Sequence, residues 1–183
     1  MGIAADNYRS RRHEAAYLAT RPWIRGATVV EAGAGEGFGA DILSRVARRV
    51  VAVDPDAAAC EYAAKAYPAL TVARASLTAL PFADHRADAV VHLAAVPQPA
   101  FVAEAARILR PVGVLIVSTA TTELSAAGLT EALAPHFRVD RLYGVHPRRR
   151  LRRPGAPVTH RDFHFGEEAP DTGLDLFALA IRR

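Results

Sequence analysis

Three glycines at alternate positions, Gly33, Gly35 and Gly37, follow an apolar run that ends in an acid, Val29-Val30-Glu31. A helical pattern begins at Phe38, and a second apolar run, Val50-Val51-Ala52-Val53, closes on Asp54. This order reads as strand, glycine turn, helix, strand, acid. It constrains the fold more than any other stretch, because two buried strands joined by a helix must lie parallel in a covered sheet.

The rest of the chain repeats the unit. Alanine-rich residues 56–67 suit a helix, and Pro68 stops it. Strands are expected at 70–74, 88–94 and 114–118, with a helix over 100–109 and a turn at Pro111-Val112-Gly113. A helix at 126–133, a sixth strand at 136–142 and a last strand at 174–181 complete the pattern, with 144–157 read as loop. Residues 3–20 form a helix that Pro22 and Gly26 end. The fold class is therefore α/β: one three-layer unit, a mostly parallel sheet, and an antiparallel hairpin at its C-terminal edge. Two parts are expected, an N-terminal arm and helix over 1–26 that covers the ligand site, and a ligand-binding domain over 27–183.

Length and composition fit a single domain, with 183 residues of which 51% are hydrophobic. The single cysteine, Cys60, excludes an internal disulfide and a thiolate metal cluster. The chain opens without a long apolar segment, and no run approaches membrane-spanning length, so the expectation is a cytoplasmic protein without membrane association. The net charge of +4 is concentrated in the arginine run at 148–153. That run is read as a solvated loop or a clamp for an acidic small substrate. Nucleic acid is disfavoured, because no aromatic residues are interleaved with it.

Glycines let a ligand approach the backbone without a Cβ in the way. Asp54, at a strand end, is placed to accept both hydroxyls of a ribose. The chemistry thus points to a nucleoside-containing ligand, with NAD, FAD and S-adenosylmethionine all open. Glu31 narrows the choice. An acid just before the glycines is awkward beside a pyrophosphate and suits an ammonium group, which favours the amino acid end of S-adenosylmethionine.

At this point the chain resembles the class I S-adenosylmethionine-dependent methyltransferases, which are Rossmann-like. Residues 29–37 are similar to the family's first motif and Val51-Ala52-Val53-Asp54 to its second. Residues 80–88 resemble the segment before the fourth strand, and residues 106–113 the helix and turn before the fifth. A narrower similarity links Asn7–Glu14, Thr159–Phe163 and Leu174–Leu176 to actinobacterial small-molecule and sugar O-methyltransferases. The resemblance implies that Gly33, Gly35 and Gly37 line the methionine and ribose of the donor. It also implies that Asp54 binds the ribose, Pro55 lies near the adenine, Ser76 and Leu77 flank the adenine edge, and His92 sits beside the methyl donor.

The sequence departs from that pattern after the fourth strand. Sugar methyltransferases of this kind carry a Glu-His pair there, and this chain has Val91-His92-Leu93-Ala94-Ala95-Val96 instead. The segment between the fifth and last strands is also short, leaving an open pocket or one walled by a second subunit. The candidate catalytic residues are His13, His92 and Tyr8, with His160, Asp162 and His164 as further titratable groups. No metal site is expected. The expected activity is methyl transfer to a small molecule, an O-methylation in secondary-metabolite or saccharide biosynthesis. Two alternatives stay open: a non-methylating cyclisation or elimination on the same fold, and a degenerate partner subunit.

Overall fold

The computed structural model describes residues 3–148 and 157–183. Its helices are α1 (Ile3–Ile24), α2 (Phe38–Ser44), α3 (Ala57–Ala66), α4 (Pro99–Ile108) and α5 (Ala126–Leu133). Its strands are β1 (Thr28–Ala32), β2 (Arg49–Asp54), β3 (Thr71–Arg74), β4 (Ala87–His92), β5 (Leu109–Ala120), β6 (Phe137–Pro147), β7 (Phe163–Gly166) and β8 (Asp175–Arg182). They form one sheet in the order β3-β2-β1-β4-β5-β8-β6-β7. The first five strands run parallel, and β8, β6 and β7 pair antiparallel.

The sheet is buried on both faces, which is why its strands are continuously apolar. Val30, Ala32, Val51 and Val53 pack with Phe101, Ala105 and Ile108 of α4 and Leu129 and Leu133 of α5. Val29, Val50 and Ala52 face the other way, toward Ala15, Ala16 and Ile24 of α1 and Ala40 and Leu43 of α2. Glu31 alternates with Val30 and Ala32, so it shares the α1 and α2 face. β1 lies between β2 and β4, and both neighbours are parallel to it. Strand order reverses there, and the carboxyl ends of β1 and β4 flank the crevice where α/β sheets bind ligands.

Several boundaries differ from the sequence reading. The first helix does not end at Pro22 but continues to Ile24, because Ile24 is fully buried and its docking holds the last turn helical. The helix that begins at Phe38 stops at Ser44. Backbone bonds from Gly26 N to Val46 O and from Arg48 N to Ala27 O pull the chain into β2 instead. The turn at 111–113 survives only as a bulge inside the longer β5, with Val112 at φ 57°. β6 runs on through residues expected in the loop at 144–157. The late hairpin is present, but β8 inserts between β5 and β6, and β7 forms the outer edge. Apart from Arg148, the arginine run lies outside the described residues.

The crossover from β3 to β4, residues 75–86, contains no helix. Arg107 of α4 fastens it, donating to Leu80 O, Phe82 O, Asp84 and Glu104. Glu104 in turn accepts from Leu80 N at 2.8 Å, and the charge-assisted bonds to Arg107 hold its carboxyl below the usual range.

Candidate active site

The three glycines of the turn have different neighbours. All have positive φ (79°, 53° and 85°), a region that L side chains rarely adopt. A Cβ on Gly33 would lie 3.5 Å from His92, and one on Gly37 would strike Ala63 of α3 at 2.9 Å. Gly37 is therefore a packing position. A Cβ on Gly35 would meet nothing within 4 Å, so this is the open side of the turn.

Asp54 is tied to that open side. Its Oδ2 accepts from Gly35 N at 2.8 Å and its Oδ1 from Asp56 N at 2.9 Å. A carboxylate offers about four lone-pair sites, so both oxygens keep acceptor capacity for hydroxyl donors. The acid thus shapes the glycine turn, a role the spacing did not reveal. Ala75 N bonds Asp54 O at 3.1 Å, which brings the next segment alongside. Leu77 reaches the turn, 3.7 Å from a Cβ on Gly33. Ser76 is exposed and closes a local turn with Thr78. Pro55 is exposed at the lip, and its carbonyl accepts from Arg74 Nε at 3.3 Å.

Glu31 is 1% exposed, and neither carboxylate oxygen has a hydrogen-bond partner. Burial pushes its carboxyl up to about 8; the Tyr17 hydroxyl moderates that rise and the Asp54 charge adds to it. Tyr17 is raised in turn, by burial first and then by Glu31. The hydroxyl is near enough for each group to move the other's titration, but it does not complete hydrogen-bond geometry, so the carboxylate is left unsatisfied. The place of Tyr17 is marked by a fourth glycine, Gly39: a Cβ there would lie 2.1 Å from the Tyr17 ring and 2.3 Å from Glu31 Oε1.

His92 is 5% exposed, and its Nδ1 lies 2.8 Å from Ala32 O. A carbonyl only accepts, so Nδ1 carries the proton and the end of β4 is clamped to the end of β1. Its ring also packs on Phe101, with centroids 4.3 Å apart. Burial lowers its pKa, against the opposing effect of the Ala32 bond. His13, half-buried on α1, is lowered by burial first and then by Arg12 and Arg9. It stands one turn before Tyr17, beside Arg12, which pairs with Asp175 of β8 at 3.0 Å. α1 thus crosses the mouth of the sheet from β8 to the glycine turn, with His13 between those anchors. Tyr8 packs edge-on against Phe163 of β7, centroids 5.2 Å apart, away from the turn. Asp162 bonds Thr159 N in a short 3-10 turn, His160 faces Glu14 at 3.4 Å, and His164 stacks on His146. Among the described residues no three such groups converge to hold a metal, and no helix is long and apolar enough to cross a membrane.

Burial of His13 and His92 makes folding pH-dependent. In the unfolded chain His13 and His92 protonate near 6.5, and burial places both lower in the folded protein. Below 6.5 the unfolded chain therefore takes up protons first. Stability is full above that pH and is lost as the pH falls toward the depressed folded values, by up to about 1.4 kcal/mol per pH unit per histidine. Urea denaturation at pH 7.5, 6.5 and 5.5 checks this, and His92→Gln flattens the dependence.

Comparison with known proteins agrees with this geometry. A family model described as a methyltransferase domain matches residues 30–117. The chain is 38% identical over 166 residues to a probable S-adenosylmethionine-dependent methyltransferase of Mycolicibacterium smegmatis, covering 79% of this chain and 65% of the relative. It is 42% identical over 118 residues to one of Mycobacterium tuberculosis, covering 62% of this chain and 43% of the relative. The chain thus spans less than two thirds of the length of either relative. Among solved structures, a possible histamine N-methyltransferase of Thermotoga maritima superposes with a TM-score of 0.73 at 17% identity, covering 95% of this chain and 91% of that one. A chain of a complex described as that between the Haloferax volcanii Trm112 methyltransferase activator and the putative methyltransferase gives 0.71 at 21%, covering 97% of this chain and 93% of that one. The fold is that of the class I S-adenosylmethionine-dependent methyltransferases.

Proposed function

We propose that this chain binds S-adenosylmethionine at the glycine turn and transfers its methyl group to an oxygen of a small molecule. The unsatisfied Glu31 carboxylate carries the reading. A buried acid with no protein partner is costly, and the ammonium group of the donor is the partner its place calls for. Asp54 holds the ribose, and Gly35 lets the ligand reach the backbone. Pro55, Ser76 and Leu77 border the adenine side. When bound, the donor supplies an electrophilic methyl group on a sulfonium.

The chain's own residues position and deprotonate the acceptor. His13 is the candidate base: it is held neutral, and α1 carries it over the crevice between its two anchors. A neutral imidazole can take the hydroxyl proton as the oxygen attacks. His92 acts through the backbone, fixing the carboxyl ends of β1 and β4, and Tyr8 positions α1 against β7. Acceptor specificity lies in the residues above β4 and β5. The relatives named above support the methyl donor but not the acceptor, which we place among small molecules of secondary-metabolite or saccharide biosynthesis. The shortness of the segment between β5 and β8 favours a second copy or a partner subunit as the far wall of the pocket.

Incubation with S-adenosylmethionine and a panel of hydroxylated acceptors tests the proposal. Methylated product and S-adenosylhomocysteine should form together, and His13→Ala should lower kcat by about 10²–10⁴. A converted substrate without S-adenosylhomocysteine would instead establish a non-methylating reaction such as a cyclisation.

A further inference from the structure

The sheet has a second concave region, at the end opposite the glycine turn. Thr28 opens β1, Arg49 opens β2 and Ala87 opens β4. The crossover from β3 to β4 contains no helix, so no helix roofs these amino ends on the face that α4 and α5 cover further along. A cavity of about 620 Å³ lies there, a size usual for small-molecule sites. Val30, Val51 and Ala87 form its floor, and Phe82 is its apolar wall. Arg107 holds that wall in place by donating to the Phe82 carbonyl at 2.8 Å.

Three arginines, Arg48, Arg49 and Arg86, stand around the same cavity. The carboxylate paired on this rim, Asp88, is already engaged. It accepts from Thr28 N at 2.7 Å and from Arg110 at 2.6 Å. Arg48 lies 3.7 Å from it and donates to Thr28 Oγ1 at 2.7 Å. Arg49 and Arg86 are exposed, and among the described residues neither side chain has a hydrogen bond or an ion pair. Their backbones are nevertheless fixed, Arg86 N on Ile108 O at 2.8 Å and Arg49 N on Ala27 O at 3.3 Å. Solvated surface arginines are ordinary. Two uncommitted ones on the lip of an apolar cavity leave excess positive charge beside unfilled apolar surface.

We infer that this basal cavity binds a small amphipathic anion, its apolar body between Val30, Val51 and Phe82 and its carboxylate or phosphate head on Arg49 and Arg86. The two kinds of surface require a ligand that has both. A purely apolar molecule would leave the guanidinium groups without a partner, and a bare anion would leave the cavity unfilled. The planar fork of arginine matches carboxylate and phosphate oxygens. A small molecule fits better than a protein segment, since a stable protein interface buries roughly 800 Å² on each side. The site does not depend on the donor reading, because the length of β1, about 13 Å, separates it from the glycine turn.

Decanoate and decyl phosphate are the probes, titrated by calorimetry below their micellar concentrations. Decanol and inorganic phosphate supply the two halves of the ligand separately. At least one amphiphile should bind about tenfold or more tighter than either half, and the tighter one identifies the head group. Arg49→Gln and Arg86→Gln should each weaken it about three- to tenfold. Both side chains are exposed, so folding should be untouched. Phe82→Ala should weaken it about tenfold and keeps the carbonyl that Arg107 holds. S-adenosylhomocysteine should bind all three variants within about twofold of the wild type, and Asp54→Ala should bind the amphiphile as the wild type does, so the two sites fail separately.

Decanol binding as tightly as both amphiphiles overturns the anion assignment. Unchanged affinity in the double variant Arg49→Gln/Arg86→Gln takes the ligand off this rim and overturns the site. Competition between decanoate and S-adenosylhomocysteine would place decanoate in the glycine turn and overturns it as well. Binding to phosphatidylglycerol vesicles without binding to either soluble amphiphile would make the arginines a membrane contact, which also contradicts the inference.

Discussion

Gly39→Ala is expected to destabilise the ligand-free protein by about 1–3 kcal/mol and to weaken S-adenosylmethionine binding at least tenfold. The direction is opposite to the helical rule. Gly39 lies inside α2, where alanine would ordinarily gain up to about 1 kcal/mol over glycine. Here the added methyl would stand 2.1 Å from the Tyr17 ring and 2.3 Å from Glu31 Oε1, distances no packed core accepts. Steric exclusion wins, and Tyr17 must leave or α2 must shift. A double-mutant cycle in urea separates the two. If Tyr17 is what the methyl strikes, adding Tyr17→Ala to Gly39→Ala costs far less than it does in the wild-type background. Simple additivity would show that the two positions do not touch.

Asp54→Ala is expected to lower donor affinity by about 100-fold or more while costing the ligand-free fold about 2–3 kcal/mol. The carboxylate holds Gly35 N and Asp56 N at once, and hydrogen bonds to a charged group contribute about 1.5–3 kcal/mol each. Both amides lie near solvent, which recovers part of that loss in the empty protein. Donor binding should lose more, because on the proposed reading the turn relaxes and the ribose loses its acceptors together. Asp54→Asn keeps one strong acceptor and should fall between the wild type and Asp54→Ala. Calorimetry for affinity and urea denaturation for stability give the two numbers independently. A variant that loses stability but binds the donor as before would restrict Asp54 to shaping the turn.

What was legible in the sequence was what is local. The strand, glycine turn and acid from Val29 to Asp54 could be read because each feature is set by its near neighbours. The helix over 126–133 is also found where the pattern placed it, starting on the Ser125 cap that accepts from Gly128 N. The insertion of β8 between β5 and β6 was not legible, because its pairing partners Val114–Ala120 lie some sixty residues away in sequence. β7 was missed although Phe163 and Phe165 alternate with His164 and Gly166, since four residues are too few to separate a strand from a loop. The orphaned state of Glu31 needed three elements to be seen together. Its acidity was read, and its lack of a partner was not. His92 shows the converse: a histidine at a strand end reads as a catalytic base, and only the bond to Ala32 O shows that its Nδ1 proton is engaged.

On the proposed reading, the turn between Glu31 and Asp54 cradles the methyl donor. A crystal structure of the complex with S-adenosylhomocysteine tests it most directly. The ribose hydroxyls should lie on Asp54, the backbone of Gly35 against the ligand, and the ammonium within hydrogen-bond distance of Glu31. A nucleoside bound elsewhere on the sheet, or one seated in the turn with its ammonium turned away from Glu31, would contradict it.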